Sequence, residues 1–367
     1  MRIGLVIYGT LETLSGGYLY DRRLVDHLRE QGDTVVVFSQ PWRPRYIQRL
    51  AQNLDRRWVE VMMENELDIL LEDELNHPSL IQLNAHLRQR HRYPVVTIVH
   101  HLQSSEAGHP LQKGLARFVE KAYLSPLDGY IFNSRTTRRS VEALLGRPAV
   151  PSVVAMPAGN RLGGGISEPQ IEARWRRRKE LRLLFVGNLI RRKGLHILLR
   201  ALAELKQGGW SLRVVGRTDV DRYYAQQLGN LSRRLGIAER VTFLGALSDE
   251  ALRSEYQEAD VLAVPSQYEG FGIVYLEGMS FGLPCLATTS GAAGEMIQNG
   301  VEGFLIPPHD WQALSGKIRE LIEDPARLLQ MSLSARKQFQ AFPGWRESMS
   351  QVRLFLEGMT RQGSGYS

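Results

Sequence analysis

Short runs rich in Val, Ile and Leu recur along the chain, each bounded by Gly, Pro or polar residues. They alternate with longer segments whose apolar residues return every three or four positions. The first series holds runs at 2–8, Thr34–Phe38, Leu67–Leu71, Pro94–Val99, Gly129–Phe132 and Val153–Met156. Helical spacing falls at Tyr18–Arg29, where Leu19, Leu24 and Leu28 share a side, and at Thr136–Leu145. The second series holds runs at Leu181–Val186, Trp210–Val215, Val241–Leu244 and Asp260–Val264. Its helical segments are Leu195–Leu205, Tyr223–Leu235, Gly272–Gly282, Trp311–Glu323 and, after Pro343-Gly344-Trp345, Ser348–Gly358. Runs that are apolar throughout, without alternation, suit strands covered on both faces, and such strands are parallel. Strand–helix–strand units of this kind predict a doubly wound α/β fold. The stretch from Leu162-Gly163-Gly164-Gly165 to Pro169 has the composition of a linker. It divides the chain into expected domains at 1–165 and 166–345, with a last segment at 346–367.

The richest chemistry lies between Ser266 and Glu277, in S-Q-Y-E-G-F-G-I-V-Y-L-E, which joins the run at 260–264 to a helix. Gly270 and Gly272 clear the loop of side chains, and a helix N-terminus offers N–H groups and a favourable dipole to an anion. Glu269 and Glu277 repel phosphate but accept hydrogen bonds from vicinal hydroxyls. Phosphate plus polyol points to a nucleotide sugar. An ordinary strand–helix turn, with one exposed and one capping glutamate, explains the spacing equally well.

The flanking residues separate the two readings. Glu269 and Glu277 form an E-x7-E pair, followed by Gly282-Leu-Pro284-Cys-Leu-Ala287-Thr-Thr-Ser-Gly291-Ala-Ala-Gly-Glu295 and Gly303-Phe-Leu-Ile-Pro-Pro308. This order resembles retaining glycosyltransferase family 4 (GT4). The resemblance implies the GT-B fold: two Rossmann-like doubly wound domains facing a central cleft, with a C-terminal helix crossing back to the N-domain. It further implies that Glu277 holds the donor ribose, that Glu269 lies close to the donor sugar, and that Gly270, Phe271, Gly272 and Ile273 line the donor site.

The resemblance extends to other segments. Ser15-Gly16-Gly17 is similar to the family's N-terminal glycine loop, which makes Gly16 and Gly17 donor-phosphate residues. Without G-x-G-x-x-G, a nicotinamide-type dinucleotide is disfavoured. In Gly187-Asn-Leu-Ile-Arg-Arg192-Lys193-Gly194, Lys193 matches a diphosphate-binding lysine, but Asn188 stands where the family has arginine. Arg192 or Arg191 takes over that charge, with Arg192 preferred. His100 aligns with a histidine that contacts the donor sugar, and its neighbour His101 remains an alternative. Glu74 and His77 lie in a loop that relatives use around the acceptor.

Metal ligation is not expected. The acids at 72–74 are consecutive and do not converge on one ion, and the His100-His101 pair has no suitably spaced third ligand. Asp219-Val-Asp221 has the D-x-D spacing of a metal motif that sits just beyond a strand. Here it precedes a helical segment and reads as an N-cap. No cofactor is implied beyond a UDP-, GDP- or ADP-linked sugar as donor substrate, with an acceptor hydroxyl as the other partner. Retention follows from double displacement on a carboxylate or from front-face departure, and the family's usual lack of a placed nucleophile favours the second.

Composition sets bounds. At 43% hydrophobic and 23% charged over 367 residues, the chain has a globular composition with room for two domains. It carries no long uncharged apolar run and one cysteine, Cys285, which suits a cytoplasmic protein. The net charge of +7 is spread along the chain: residues 1–165 hold 20 basic and 17 acidic side chains, the remainder 26 and 22. Basic clusters stand at Arg135, Arg138 and Arg139, at Arg174–Lys179 and at Arg191–Lys193. They permit peripheral contact with an anionic membrane; the 174–179 cluster reads as a solvated helix face, and no nucleic acid is expected. Two further readings stand beside the transferase: a nucleotide-sugar binder that does not turn over, which Asn188 keeps open, and a basic membrane or nucleic-acid binder.

Overall fold

The computed structural model describes residues 1–13, 15–55, 57–90, 93–106, 110–205 and 209–363. The chain divides into two units, Met1–Pro157 with the segment from Trp345 onward, and Ala158–Gly344. Each is built on one six-stranded sheet whose neighbouring strands all run parallel.

In the first unit the strands are β1 (Arg2–Tyr8), β2 (Thr34–Gln40), β3 (Ile69–Asp73), β4 (Val95–Val99), β5 (Gly129–Phe132) and β6 (Ser152–Val154). Their order is β2-β1-β3-β4-β5-β6, so the winding reverses between β1 and β3. Ligands of open α/β sheets bind at the strand C-terminal ends beside such a reversal. The helix Gly16–Glu30 starts two residues earlier than the apolar spacing predicts, because Ser15 caps it by accepting from the Tyr18 amide. Gly16 and Gly17 therefore lie in the first helical turn and not in a loop. The tryptophan- and arginine-rich region forms helices at Tyr46–Ala51 and Arg57–Glu64, with Arg49 buried against the rings of Trp42 and Tyr46.

The last helix, Trp345–Gly363, belongs to this first unit and packs on Gly16–Glu30. Arg353 donates to Asp33, which also takes the N-terminal ammonium at 2.8 Å, while Ser350 lies 3.3 Å from His27.

The second unit contains β7 (Leu181–Val186), β8 (Trp210–Val215), β9 (Val241–Gly245), β10 (Val261–Ala263), β11 (Cys285–Thr288) and β12 (Gly303–Ile306), in the order β12-β11-β10-β7-β8-β9. Here the reversal falls between β7 and β10. The helix Ile273–Ser280 is buried on all sides from Tyr275 to Ser280, so its apolar residues do not form the single stripe expected. The glycine-rich stretch at 162–165 packs within this unit: Leu162 and Ile166 are buried, and the Ile166 amide donates to Ser280.

In the cluster at 174–179, Arg176, Arg177 and Lys179 are exposed as expected, and Arg174 departs from that reading. Arg174, in the helix Glu168–Arg177, is buried, with its guanidinium donating to the carbonyls of Phe281 and Gly282 at 2.9 and 3.0 Å and lying 4.0 Å from Asp260. Phe281 and Gly282 follow the end of Ile273–Ser280, so Arg174 satisfies carbonyls the helix cannot. Burial lowers its pKa to about 10, well within the charged range at neutral pH. Arg174→Ala is expected to cost about 3 kcal/mol in urea unfolding, since it strands the two buried carbonyls, while Asp260 keeps Arg182. A loss under about 1 kcal/mol, the range of exposed pairs, would restore the solvated reading.

Candidate functional site

Two groups of side chains gather at the two strand-order reversals. In the second unit, the turn after β7 carries Arg191–Lys193, closed by Gly194 in the left-handed region, and the loop after β10 carries Glu269. β7 and β10 are neighbours, so the cations meet the carboxylate. Lys193 Nζ donates to Glu269 Oε1 at 2.6 Å, Ser266 Oγ donates to the same oxygen at 2.6 Å, and Arg192 Nη1 lies 3.5 Å from Oε2. Arg192 also donates to the Tyr268 carbonyl at 2.8 Å. Burial would raise the Glu269 pKa, but Lys193 and Arg192 outweigh it and hold the carboxyl down at about 2. Of the two arginines weighed for the place of Asn188, Arg192 reaches this group, while Arg191 is exposed. Asn188 is half-buried in the loop after β7, its carbonyl accepting from Ile190.

Gly272 caps Ile273–Ser280 at φ 95°, and a β-carbon there would lie 2.6 Å from the Tyr275 ring. Only glycine serves both demands. At the start of this helix the Tyr275 amide donates to the Gly272 carbonyl at 2.9 Å, and the amides of Ile273 and Val274 precede that first bond. One turn on, Glu277 is buried, with Arg161 Nε donating to Oε1 at 2.9 Å and Tyr256 Oη to Oε2 at 3.1 Å. Arg161 also pairs with Asp249. Neither glutamate is the exposed residue of an ordinary turn.

In the first unit, three elements converge at the reversal between β1 and β3. His100 follows β4; Asp73 ends β3, whose register sets it beside Ile98; Asp21 comes from the helix after β1. His100 Nε2 lies 3.2 Å from Asp21 Oδ1, and the three side chains bring ligand atoms within 4.8 Å of one another. The expectation that no third group joins the histidines is thus corrected, since the partners come from other elements and not from nearby sequence. A β-carbon on Gly17 would stand 3.1 Å from the His100 ring, so Gly17 permits the approach. Burial opposes the charged imidazole, but Asp21, Asp73 and Glu74 outweigh it and raise His100 to about 9. Burial, reinforced by Asp21, pushes Asp73 up to about 8.

His101 turns elsewhere, its Nε2 2.9 Å from Glu106. Glu74 and His77 are buried together: His77 Nδ1 lies 3.3 Å from the Glu74 carboxylate and Nε2 3.0 Å from Tyr46 Oη. Glu72, consecutive with Asp73, points to Asn84 instead, and burial raises it to about 7. Asp221 caps Arg222–Arg234 through the Tyr224 amide, and Asp219 pairs with Arg217.

Sequence spacing passed over Asp21, Arg161 and Tyr256, set Asp73 aside among the consecutive acids at 72–74, and gave Ser266 no role. Asp21 left a trace, standing four residues after Gly17 and hence on the same helical face.

Residues 167–338 match the family model described as Glycosyl transferases group 1. The chain belongs to that family. Among curated relatives, it is 30% identical over 257 residues, 66% of each chain, to the GDP-mannose-dependent alpha-(1-6)-phosphatidylinositol monomannoside mannosyltransferase of Mycolicibacterium smegmatis. It is 33% identical over 168 residues to the D-inositol 3-phosphate glycosyltransferase of Rhodococcus erythropolis, covering 44% of this chain and 38% of that one. The alignments therefore leave a third or more of each relative uncovered. Sucrose-phosphate synthase from Thermosynechococcus elongatus superposes with a TM-score of 0.83 over all of both chains at 23% identity. Anabaena HepE in complex with UDP and glucose does so at 0.73, with 21% identity and 97% and 99% coverage. These likenesses show the GT-B fold. The group 1 glycosyltransferase match contains Arg192, Lys193, Glu269 and Glu277, whereas Asp21, Asp73 and His100 lie outside it.

Proposed function

We propose that the protein is a retaining, metal-independent glycosyltransferase that moves a sugar from a nucleotide diphosphate sugar to an acceptor hydroxyl. The observation that carries this reading is Glu269 held by Lys193, Arg192 and Ser266 one turn before the helix that bears Glu277. Glu277 takes the ribose hydroxyls, with Arg161 and Tyr256 fixing its carboxylate. Lys193, Arg192 and the amides at Ile273 stabilise the diphosphate as it leaves, which does the work assigned elsewhere to a divalent cation. Glu269 has both oxygens engaged by cations or a hydroxyl and a pKa of about 2, so it is a poor nucleophile. Front-face departure fits this better: the anomeric C–O bond to the diphosphate breaks, the acceptor oxygen bonds the same face, and its proton passes to the leaving phosphate oxygen.

The solved neighbour named with UDP and the relative named for GDP-mannose leave the donor base open among UDP, GDP and ADP. The test is NMR of the product formed from an α-linked donor in EDTA. An α-linked product supports the reading; a β-linked product, or turnover that requires a divalent ion, contradicts it.

An anionic membrane surface is the proposed setting. On the helix Pro110–Leu124, Leu111, Leu115 and Phe118 stand at i, i+4 and i+7 and are 78%, 43% and 74% exposed, beside exposed Arg117 and Lys121. Among the described residues no helix is long and apolar enough to cross a membrane. An apolar stripe flanked by cations instead lies in the interface, each large side chain contributing about 1.5–3 kcal/mol and each cation about 1. Co-sedimentation with phosphatidylglycerol-containing vesicles is expected, and the double variant Leu115→Ser, Phe118→Ser should lose at least tenfold in binding. Equal sedimentation of both proteins, or none by the wild type, would remove the proposal.

A further inference from the structure

We propose that Asp21 is a positioning residue for His100, fixing the ring and holding it as a cation toward the anionic donor. This rests on the reading of His100 as a donor contact.

The ring is constrained from several elements. Asp21, fully buried in the helix Gly16–Glu30, faces Nε2 at 3.2 Å through Oδ1, while its Oδ2 is buried with no hydrogen-bond partner. Gly17, one turn earlier on the same helix, lets that helix lie against the imidazole. Tyr20 meets the ring edge-on at 5.4 Å and is itself packed edge-on against Trp345 at 6.0 Å. The His100 carbonyl accepts from Asn133 Nδ2 at 2.8 Å and, at 3.4 Å, from Thr137 Oγ1. Backbone and ring are thus both held, and the hydrogen on Nε2 is committed to Asp21. Nδ1 is the ring nitrogen left for a ligand, and on a cationic ring it too is a donor.

The charged groups around the ring are all acidic: Asp21 from its helix, Asp73 from the end of β3, and Glu74 from the turn that follows. Burial pushes the Asp73 carboxyl toward its neutral form, so Asp21, 3.2 Å from Nε2, provides the nearest negative charge. An imidazole raised to about 9 is favoured as a cation in the fold below that pH, and the stabilisation disappears as pH rises through 9. An anionic donor in contact with His100 would thus meet a cation throughout the neutral range. No carboxylate is added to the surface it faces, because the counter-charge is buried behind the ring.

The experiment follows the histidine ring resonances of the full chain by NMR across pH 5.5–10.5, with His100 assigned by its loss in His100→Gln. The wild-type midpoint is expected near 9, and Asp21→Asn should lower proton affinity at least tenfold, with the other histidines unmoved. Asp73→Asn, a second isosteric change, should give a smaller shift. An unchanged midpoint in folded Asp21→Asn, or a wild-type midpoint at the ordinary value near 6.5, overturns the proposal. The alkaline limb of kcat/KM is expected to move down with the midpoint in Asp21→Asn. A midpoint that moves without any change in that limb would instead sink the reading of His100 as a donor contact.

Discussion

Lys193→Ala is expected to lower kcat/KM for the donor by about 10²–10³-fold, equivalent to about 3–4 kcal/mol of transition-state stabilisation. Lys193 is the cation nearest Glu269, at 2.6 Å, in a turn that the left-handed Gly194 closes. On the proposed reading its charge serves two partners in turn: Glu269 before the donor binds, and the diphosphate as negative charge builds on the leaving oxygen. Since Glu269 keeps Arg192 and Ser266, the variant should still fold. Steady-state rates at several donor concentrations check this, and a loss of less than tenfold would assign the leaving-group role elsewhere.

The same pair sets an acid-stability window. A carboxyl held at about 2 contributes stability that is fully present above its unfolded value near 4.5 and is lost as pH falls toward 2. Removing Lys193 raises the folded value, so the stabilisation is smaller and its loss is complete at a higher pH, which urea midpoints between pH 2 and 5 would read.

Glu277→Ala is expected to weaken nucleotide binding about a hundredfold, close to 3 kcal/mol, by deleting the acceptor of two charge-assisted hydrogen bonds to the ribose. It also takes one of two carboxylate partners from Arg161, which keeps Asp249, and removes the acceptor of the buried Tyr256 hydroxyl. Glu277→Gln keeps the volume and one acceptor oxygen, so its loss should be intermediate. Titration calorimetry of the two variants against wild type distinguishes them. Equal affinity in all three would remove Glu277 from the site.

Much of the fold was legible because apolar runs mark strands buried on both faces, as in β1 and β4; β7 and β8 still read as strands although Arg182, Ser211 and Arg213 interrupt them. β11 and β12 were not read as strands, since Cys285–Thr288 and Gly303–Ile306 have only four residues each, beside Pro284 and Gly303. The helix Pro325–Ala341 went unread too: its buried stripe, Leu328, Met331, Ser332 and Ala335, is half small or polar and gives a weak apolar signal. Arg174 was misread because nothing local signals that Phe281 and Gly282, more than a hundred residues away, need donors. For the candidate site, Glu269, Glu277 and Lys193 were singled out from short motifs, each local to one strand–helix junction. Asp21 and Asp73 were not, because strand order and not spacing brings them to His100.

The most direct test of the central claim is thermal unfolding of the full chain with UDP, GDP, ADP or dTDP, in EDTA throughout. A ligand that binds only the folded state adds about 2.7 kcal/mol at a hundredfold excess over its Kd. The account predicts a raised Tm with one of these nucleotides, undiminished by EDTA. No shift with any of them at millimolar concentration, or a shift that appears only when a divalent ion replaces EDTA, would contradict it.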